Sequence, residues 1–349
     1  MQKSIVSKCG RWLARMADTV PIMSIVLCFP LARTIHNAHN VSLESPSLPD
    51  QNMPLRGCAP TVESIRAARQ ALEQLGISPH DMRALDVLVP SEGDKRNSDS
   101  LRCHVWRLDL PARSLIKLDS GVYLAGIELC AFQAARTMDE YELIEYYFEL
   151  CSFYSMPEDP AEDYRELKEP KTTVRKLKDY FLSLPDACRG RSKALRALRS
   201  VRDGSRSPME TGMTMAITVR VGLGGIQVRD LSMNHRVAID EEARGLTRRK
   251  EIIFDAYIKR GRQDVEYQGA RHNEELQSAI DNERRHVLQK MGYKIVEINK
   301  QRLFDREAFQ RVMRTISENA GIRTGNRPDD FEERQERLRQ FIIRRWRQQ

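Results

Sequence analysis

IIFDAYIKRGRQDVEYQGARHNEELQSAIDNERRHVLQKMGYKIVEINK, residues 252–300, reads as a strand, a tight turn, a second strand, a long helix and a third strand. A hairpin formed by 252–258 and 263–269 around KRGR pairs residues whose numbers share one sum. Asp255 then lies opposite Glu266. Directly opposed residues share a face of the sheet at Cβ separations of about 5 Å, where two like charges repel unless a cation stands between them. Oxygen-only ligands suit a hard ion such as Mg²⁺. The alternative is an exposed hairpin whose carboxylates splay into solvent.

Around this pair the chain supplies further chemistry. Ser207 and Pro208 form a helix start in SPMETGMTMAIT (207–218), with Glu210 in the first turn. That carboxylate either complements the helix dipole or is a third acid of the pocket. Gly269 allows a sharp exit from the second strand, and His272 follows as a candidate general base or phosphate donor. On the helix 273–291, Leu276, Ile280, Val287 and Leu288 form the apolar stripe. Asp281, Arg284 and Arg285 fall at i, i+3 and i+4, the spacing of a surface ion pair or of an Arg aimed at a phosphate. Gly292 ends the helix before the strand that opens at Tyr293.

Working outward, 349 residues suffice for two or three domains with proper cores. The seven cysteines are scattered and contain no CxxC pair, which argues against a disulfide framework or zinc knuckle and fits a reducing cytoplasm. Lys plus Arg number 57 against 49 Asp plus Glu, a net charge of +8 compatible with a polyanionic partner. Between Arg189 and Ser207 seven basic residues accompany the single acid Asp203. There Leu195, Leu198 and Val201 make an apolar stripe, opposite Lys193 and Arg196. With Arg199, Arg271 and Arg285 these bases are candidates for nucleic-acid contact, or else the solvated face of a packed helix.

The apolar run 20–32 imitates a secretory signal, but Pro21 and Pro30 interrupt it and no small-residue cleavage pattern follows. It is read instead as the opening strand, Ile25 to Leu27, after a loose extension over 1–22. The Pro- and Ser-rich stretch 42–60 is a linker or long loop. Thr61 caps a helix that Gly76 stops, and strands are expected at 85–90, 101–108 and 115–125, followed by helices over 128–136 and 139–154. The expected architecture is α/β: an N-terminal α/β domain over 23–156, a charged excursion and basic helical connector over 157–206, a mixed-sheet domain flanked by helices over 207–320, and a terminal amphipathic helix over 321–349 carrying Phe331, Leu338, Phe341 and Ile342 on one side.

SPMET, FDAYI, VEYQGARH, D-x-x-R-R-x-x-L and GYKIVEI, taken in order, resemble the very-short-patch-repair-like branch of the PD-(D/E)XK nuclease superfamily over residues 207–320. LDVLVP, CHVWRLDLP, SGVYLAGIELCAFQAAR and ELCSFY are similar to the N-terminal region of AbiEi-type antitoxin-associated proteins of bacterial abortive infection. The resemblance implies a restriction-endonuclease-like core, Mg²⁺ or Mn²⁺ held by Asp255 and Glu266, and a helix-borne acid at Glu210. It places His272, Asp281 and Arg284 at the trailing motif positions. The implied partner is nucleic acid, with DNA favoured and a toxin-antitoxin or defence setting.

One departure stands out. Two residues after the second acid the superfamily carries Lys, Asp or Glu, and this chain carries Gln268. An amide positions water but neither accepts its proton nor brings a positive charge. Two expectations therefore remain open: a metal-dependent endonuclease, or a nuclease fold that binds DNA as a regulator or antitoxin component.

Overall fold

The computed structural model describes residues 24–38, 55, 58–77, 84–157, 162–268, 274–323, 325 and 327–346, with side chains of the helix from Glu274 described from residue 282 onward. The extension 1–22 and most of the 42–60 stretch lie outside these residues. The chain divides into two compact units, Met1–Cys130 and Ala131–Gln349. Among the described residues no helix is long and apolar enough to cross a membrane.

The first unit is built on a five-stranded mixed sheet, comprising β1 (Ile25–Leu27), β2 (Leu85–Val89), β3 (Leu101–Val105), β4 (Leu115–Asp119) and β5 (Val122–Ala125) in the order β3-β2-β1-β5-β4. The apolar run that imitates a signal thus supplies the central strand, parallel to β5 and antiparallel to β2, with all three residues buried. A strand buried on both faces needs an unbroken apolar run, and this is what Ile25 to Leu27 provide. Thr61 and Ser64 form a reciprocal capping box at the start of the helix Val62–Gln74.

The second unit begins upstream of the expected boundary at 156. Its helical part brings the Phe181 ring to 5.9 Å from Phe132 and 5.6 Å from Tyr147, so the helices at 132 and 147 share a core with the helix Val174–Ser183. The stretch read as excursion and connector therefore contributes to a core. Leu177 and Phe181 are fully buried there. The small two-stranded piece formed by β6 (Tyr154–Ser155) and β7 (Arg165–Glu166) precedes it.

In the basic helix Arg191–Leu198, Ala194, Ala197, Leu198 and Val201 are buried while Leu195 is half-exposed. Leu198 and Val201 of the expected stripe are buried, and Ala194 and Ala197 rather than Leu195 complete the apolar face.

The remaining sheet has the order β11-β10-β9-β8, with β8 at Leu231–Ala238, β9 at Glu251–Ile258, β10 at Gln263–Gln268 and β11 at Lys294–Asn299. β8, β9 and β10 run antiparallel. The helix Glu274–Lys290 then carries the chain back so that β11 lies parallel to β10, a βαβ crossover. The hairpin register is the expected one, with Gln263 opposite Ile258, Asp264 opposite Tyr257 and Val265 opposite Ala256. Gly261 makes the turn possible: its φ is +80° and a Cβ there would lie 2.1 Å from the Asn319 carbonyl oxygen. β8 has no counterpart in the expectations, although Leu231, Met233 and Val237 alternate inward. Its polar centre, Asn234 to Arg236, disguises the pattern. The helix Phe331–Ile343 buries Phe331, Leu338, Ile342 and Ile343, with Phe341 half-exposed, and seats Ile342 over Gly212 of the helix Pro208–Thr218.

Candidate active site

Asp255 lies where the sheet's pairing is interrupted on both sides. The β9–β10 ladder ends at the Ala256–Val265 pair, and the β8–β9 ladder omits the pair Asn234–Asp255. Asn234 has a left-handed φ of 47°, so the backbone of β8 turns aside at this point. On the β10 side the Asp255 carboxylate itself accepts from the Tyr267 N–H at 3.0 Å, replacing a backbone partner.

The same distortion positions Glu210. Asn234 donates to the Gly204 carbonyl at 2.5 Å and accepts from Arg206 Nε at 3.2 Å, which fastens the loop before the Pro208 helix to β8. Ser207 caps that helix by accepting from the Glu210 N–H at 3.2 Å. The Glu210 carboxylate accepts from the Arg206 N–H at 2.9 Å and from the Ser207 hydroxyl at 3.2 Å. The acid that answers the Ser207 cap is thus also the candidate pocket acid. Burial raises the Glu210 pKa to about 7, the Arg206 N–H opposes this, and the nearby Asp255 charge adds to it.

A fourth acid escapes the sequence reading. Asp264 is fully buried on β10, two residues before Glu266 and so on the same side of the strand. Arg284, from the helix Glu274–Lys290, donates to Asp264 Oδ2 at 3.1 Å, to Glu266 Oε1 and to the Ile253 carbonyl at 2.8 Å. The other Asp264 oxygen, Oδ1, has no hydrogen-bond partner among the described residues. Burial pushes the Asp264 pKa up to about 8; Arg284 pulls it down and Asp255 pushes it up. Arg284 is held below its ordinary value by burial, with Asp264 and Asp255 acting against that.

Asp264 and Glu266 thus share Arg284 with the Asp255 charge nearby, and Glu210 joins the group through Asp255 alone. The D-x-E alternation of QDVEYQ is the signal that would have exposed Asp264.

The other candidates are dispersed. Gln268 is exposed at the end of β10, opposite Asn299. Arg285 turns to Glu297 on β11 rather than to the acid cluster. Lys193 donates to the Met138 carbonyl and Arg196 to Glu140 at 3.2 Å, so both tie the fold together, while Arg199 is exposed. Gly269, Arg271 and His272 lie outside the described residues, as does the side chain of Asp281.

Among the described residues no group of three or more His, Cys, Asp and Glu side chains is disposed to hold a metal ion. An oxygen-only donor set with the orphaned Asp264 Oδ1 beside it fits a hard divalent cation bound through one or two carboxylates. The Arg284 guanidinium already engages Glu266, so cation and guanidinium are alternatives for that carboxylate. No protein-family model, curated protein or solved structure matches this chain.

Proposed function

We propose that the second unit is a metal-dependent nucleic-acid phosphodiesterase with a restriction-endonuclease-like core, acting on DNA in a bacterial defence or toxin-antitoxin setting. The observation that carries this reading is that Asp264 and Glu266 on β10 share Arg284, with the Asp255 charge of β9 beside them and Glu210 of the Pro208 helix coupled to Asp255. Asp255 and Glu266 are the residues that would hold Mg²⁺ or Mn²⁺. Bound there, the ion supplies Lewis-acid polarisation of a phosphoryl oxygen and a more acidic water.

The chain's own groups do the rest. Glu210, near neutral in pKa, accepts a proton at its carboxylate at the operating pH. Once released from Glu266, Arg284 offers planar donors to the charge developing on phosphate. Gln268, exposed two residues beyond Glu266 and so on the same side of β10, would orient water through its amide. His272 is the candidate donor to the leaving oxygen.

A second reading has a specific observation in its favour. With Arg284 covering Glu266 and an amide at Gln268, the same fold suits a DNA-binding regulator or antitoxin component of weakened turnover. Incubating the protein with DNA and Mg²⁺ or Mn²⁺ separates the two. Cleavage that falls at least about 100-fold in both Asp255→Ala and Glu266→Ala supports the enzyme. Equal cutting by parent and variants removes it. No cutting by the parent, with cutting gained by Gln268→Lys, supports the dormant site.

A further inference from the structure

One strand away from the acid cluster the charge changes sign. β11 is the edge strand of the sheet, and beside it lies a cavity of about 940 Å³ lined by the consecutive residues Tyr293 to Glu297 and by the helices on either side. Consecutive strand residues point to alternate faces, so a cavity that touches all of them opens on the strand's edge. Its floor is apolar, with Val296 and Val312 buried. Its walls carry Arg285, Lys294, Arg302 and Arg311 against the single carboxylate Glu297.

That carboxylate is engaged by Arg285. Arg302 donates to the Glu297 carbonyl at 2.5 Å, which fixes its guanidinium at the rim without neutralising it. Lys294 donates to the neutral Asn319 side chain at 3.1 Å. Arg311 has only an exposed i,i+4 contact with Glu307 at 3.4 Å, an arrangement of little energetic consequence. Lys294 and Arg302, held by neutral partners, and the loosely paired Arg311 thus surround a cleft at the upper end of the roughly 300–1,000 Å³ range of ligand sites.

We infer that this edge cleft binds the sugar-phosphate backbone of a nucleic-acid strand, independently of metal. The assignment deepens the nucleic-acid reading above and rests on it. The two sites are structurally linked: Glu266 and Glu297 are register partners, and the consecutive arginines 284 and 285 reach one each. β11 lies between the cleft and the strand that carries Asp264 and Glu266, so a strand held along its free edge is about two strand spacings, roughly 10 Å, from β10.

The test is fluorescence anisotropy of the full chain with labelled single-stranded and duplex DNA in EDTA, over a salt series. Lys294→Glu/Arg311→Glu reverses two rim charges at exposed positions, and Arg175→Glu/Lys178→Glu makes the same charge change on an exposed helix far along the chain. The first pair weakens binding at least about tenfold and lowers the salt slope by about two, while the second changes it less than about threefold. Thermal melts confirm that both fold, and Arg311→Lys retains parental binding.

Absence of binding by the parent, parental binding by the first pair, or equal losses in both pairs overturns the proposal. So does equal competition by polyglutamate, which marks a site for any polyanion. Binding without cleavage under any divalent ion refutes the enzyme and leaves the cleft standing.

Discussion

Two arginines that follow one another on a single helix, and two glutamates paired across β10 and β11, make the same ion pair twice with different consequences. In the inner pair Arg284 and Glu266 are 21% and 17% exposed, and a fully buried Asp264 joins them. In the outer pair Arg285 and Glu297 are 44% and 26% exposed and border a cleft open to solvent. Burial around the inner pair raises Asp264 to about 8 although Arg284 opposes it. The outer charges are screened and act only as members of a basic field. On the function proposed above, chemistry that needs a tuned proton falls to the inner strand, and recognition of a long polyanion to the edge.

The largest expected effect breaks this comparison directly. Arg284→Ala strands Asp264 and Glu266 without their cation and lowers unfolding free energy by about 3 kcal/mol. Urea denaturation measures it. Adding Asp264→Asn to that variant restores part of the loss, because a buried carboxyl group left without its partner contributes to it. Gly261→Ala comes next, at about 2 kcal/mol, from the positive φ and the collision with the Asn319 carbonyl. Because Asn319 also holds Lys294, this variant weakens DNA binding at the edge more than it disturbs the titration of Glu210, as anisotropy and NMR of the carboxyl groups would show.

The third effect is on pH dependence. Folded Glu210 keeps its proton up to about pH 7, whereas the unfolded chain releases it near the ordinary value of 4.5. The native state then binds more protons across that window, so its contribution to stability is lost as pH rises from 4.5 to about 7 and is flat beyond. Glu210→Gln removes this slope, which for one proton cannot exceed about 1.4 kcal/mol per pH unit. Melting temperatures across that range report it. Smallest is Arg285→Ala, under about 1 kcal/mol, since an exposed pair gives little. A loss as large as that of Arg284→Ala would dissolve the distinction.

Much of this was legible in the sequence wherever spacing alone decides. The hairpin register follows from the position of Arg260-Gly261, and the strand of Ile25 to Leu27 from an apolar run too short to span a bilayer and interrupted by Pro21 and Pro30. What spacing leaves undetermined is depth. QDVEYQ shows that Asp264 and Glu266 share a side, but not that the Glu274 helix seals that side and presents Arg284 to both. Glu210 read as a helix-dipole residue or as a pocket acid because the link through Arg206 to Asn234 depends on a left-handed kink in β8, a strand whose polar middle conceals it. The basic helix showed its charges but not that Met138 and Glu140 would engage two of them. Unit division was equally hidden, since it turns on Phe132, Tyr147 and Phe181 meeting across 50 residues of charged sequence.

The seat of Ile342 on Gly212 has a bearing on how the molecule is made. A nascent polypeptide can zip up the meander and its crossover while still attached to the ribosome, yet the helix bearing Glu210 remains uncovered until residues near 342 have emerged. In newly translated copies the Gly212 face of that helix is therefore covered late, after the sheet beside it has set.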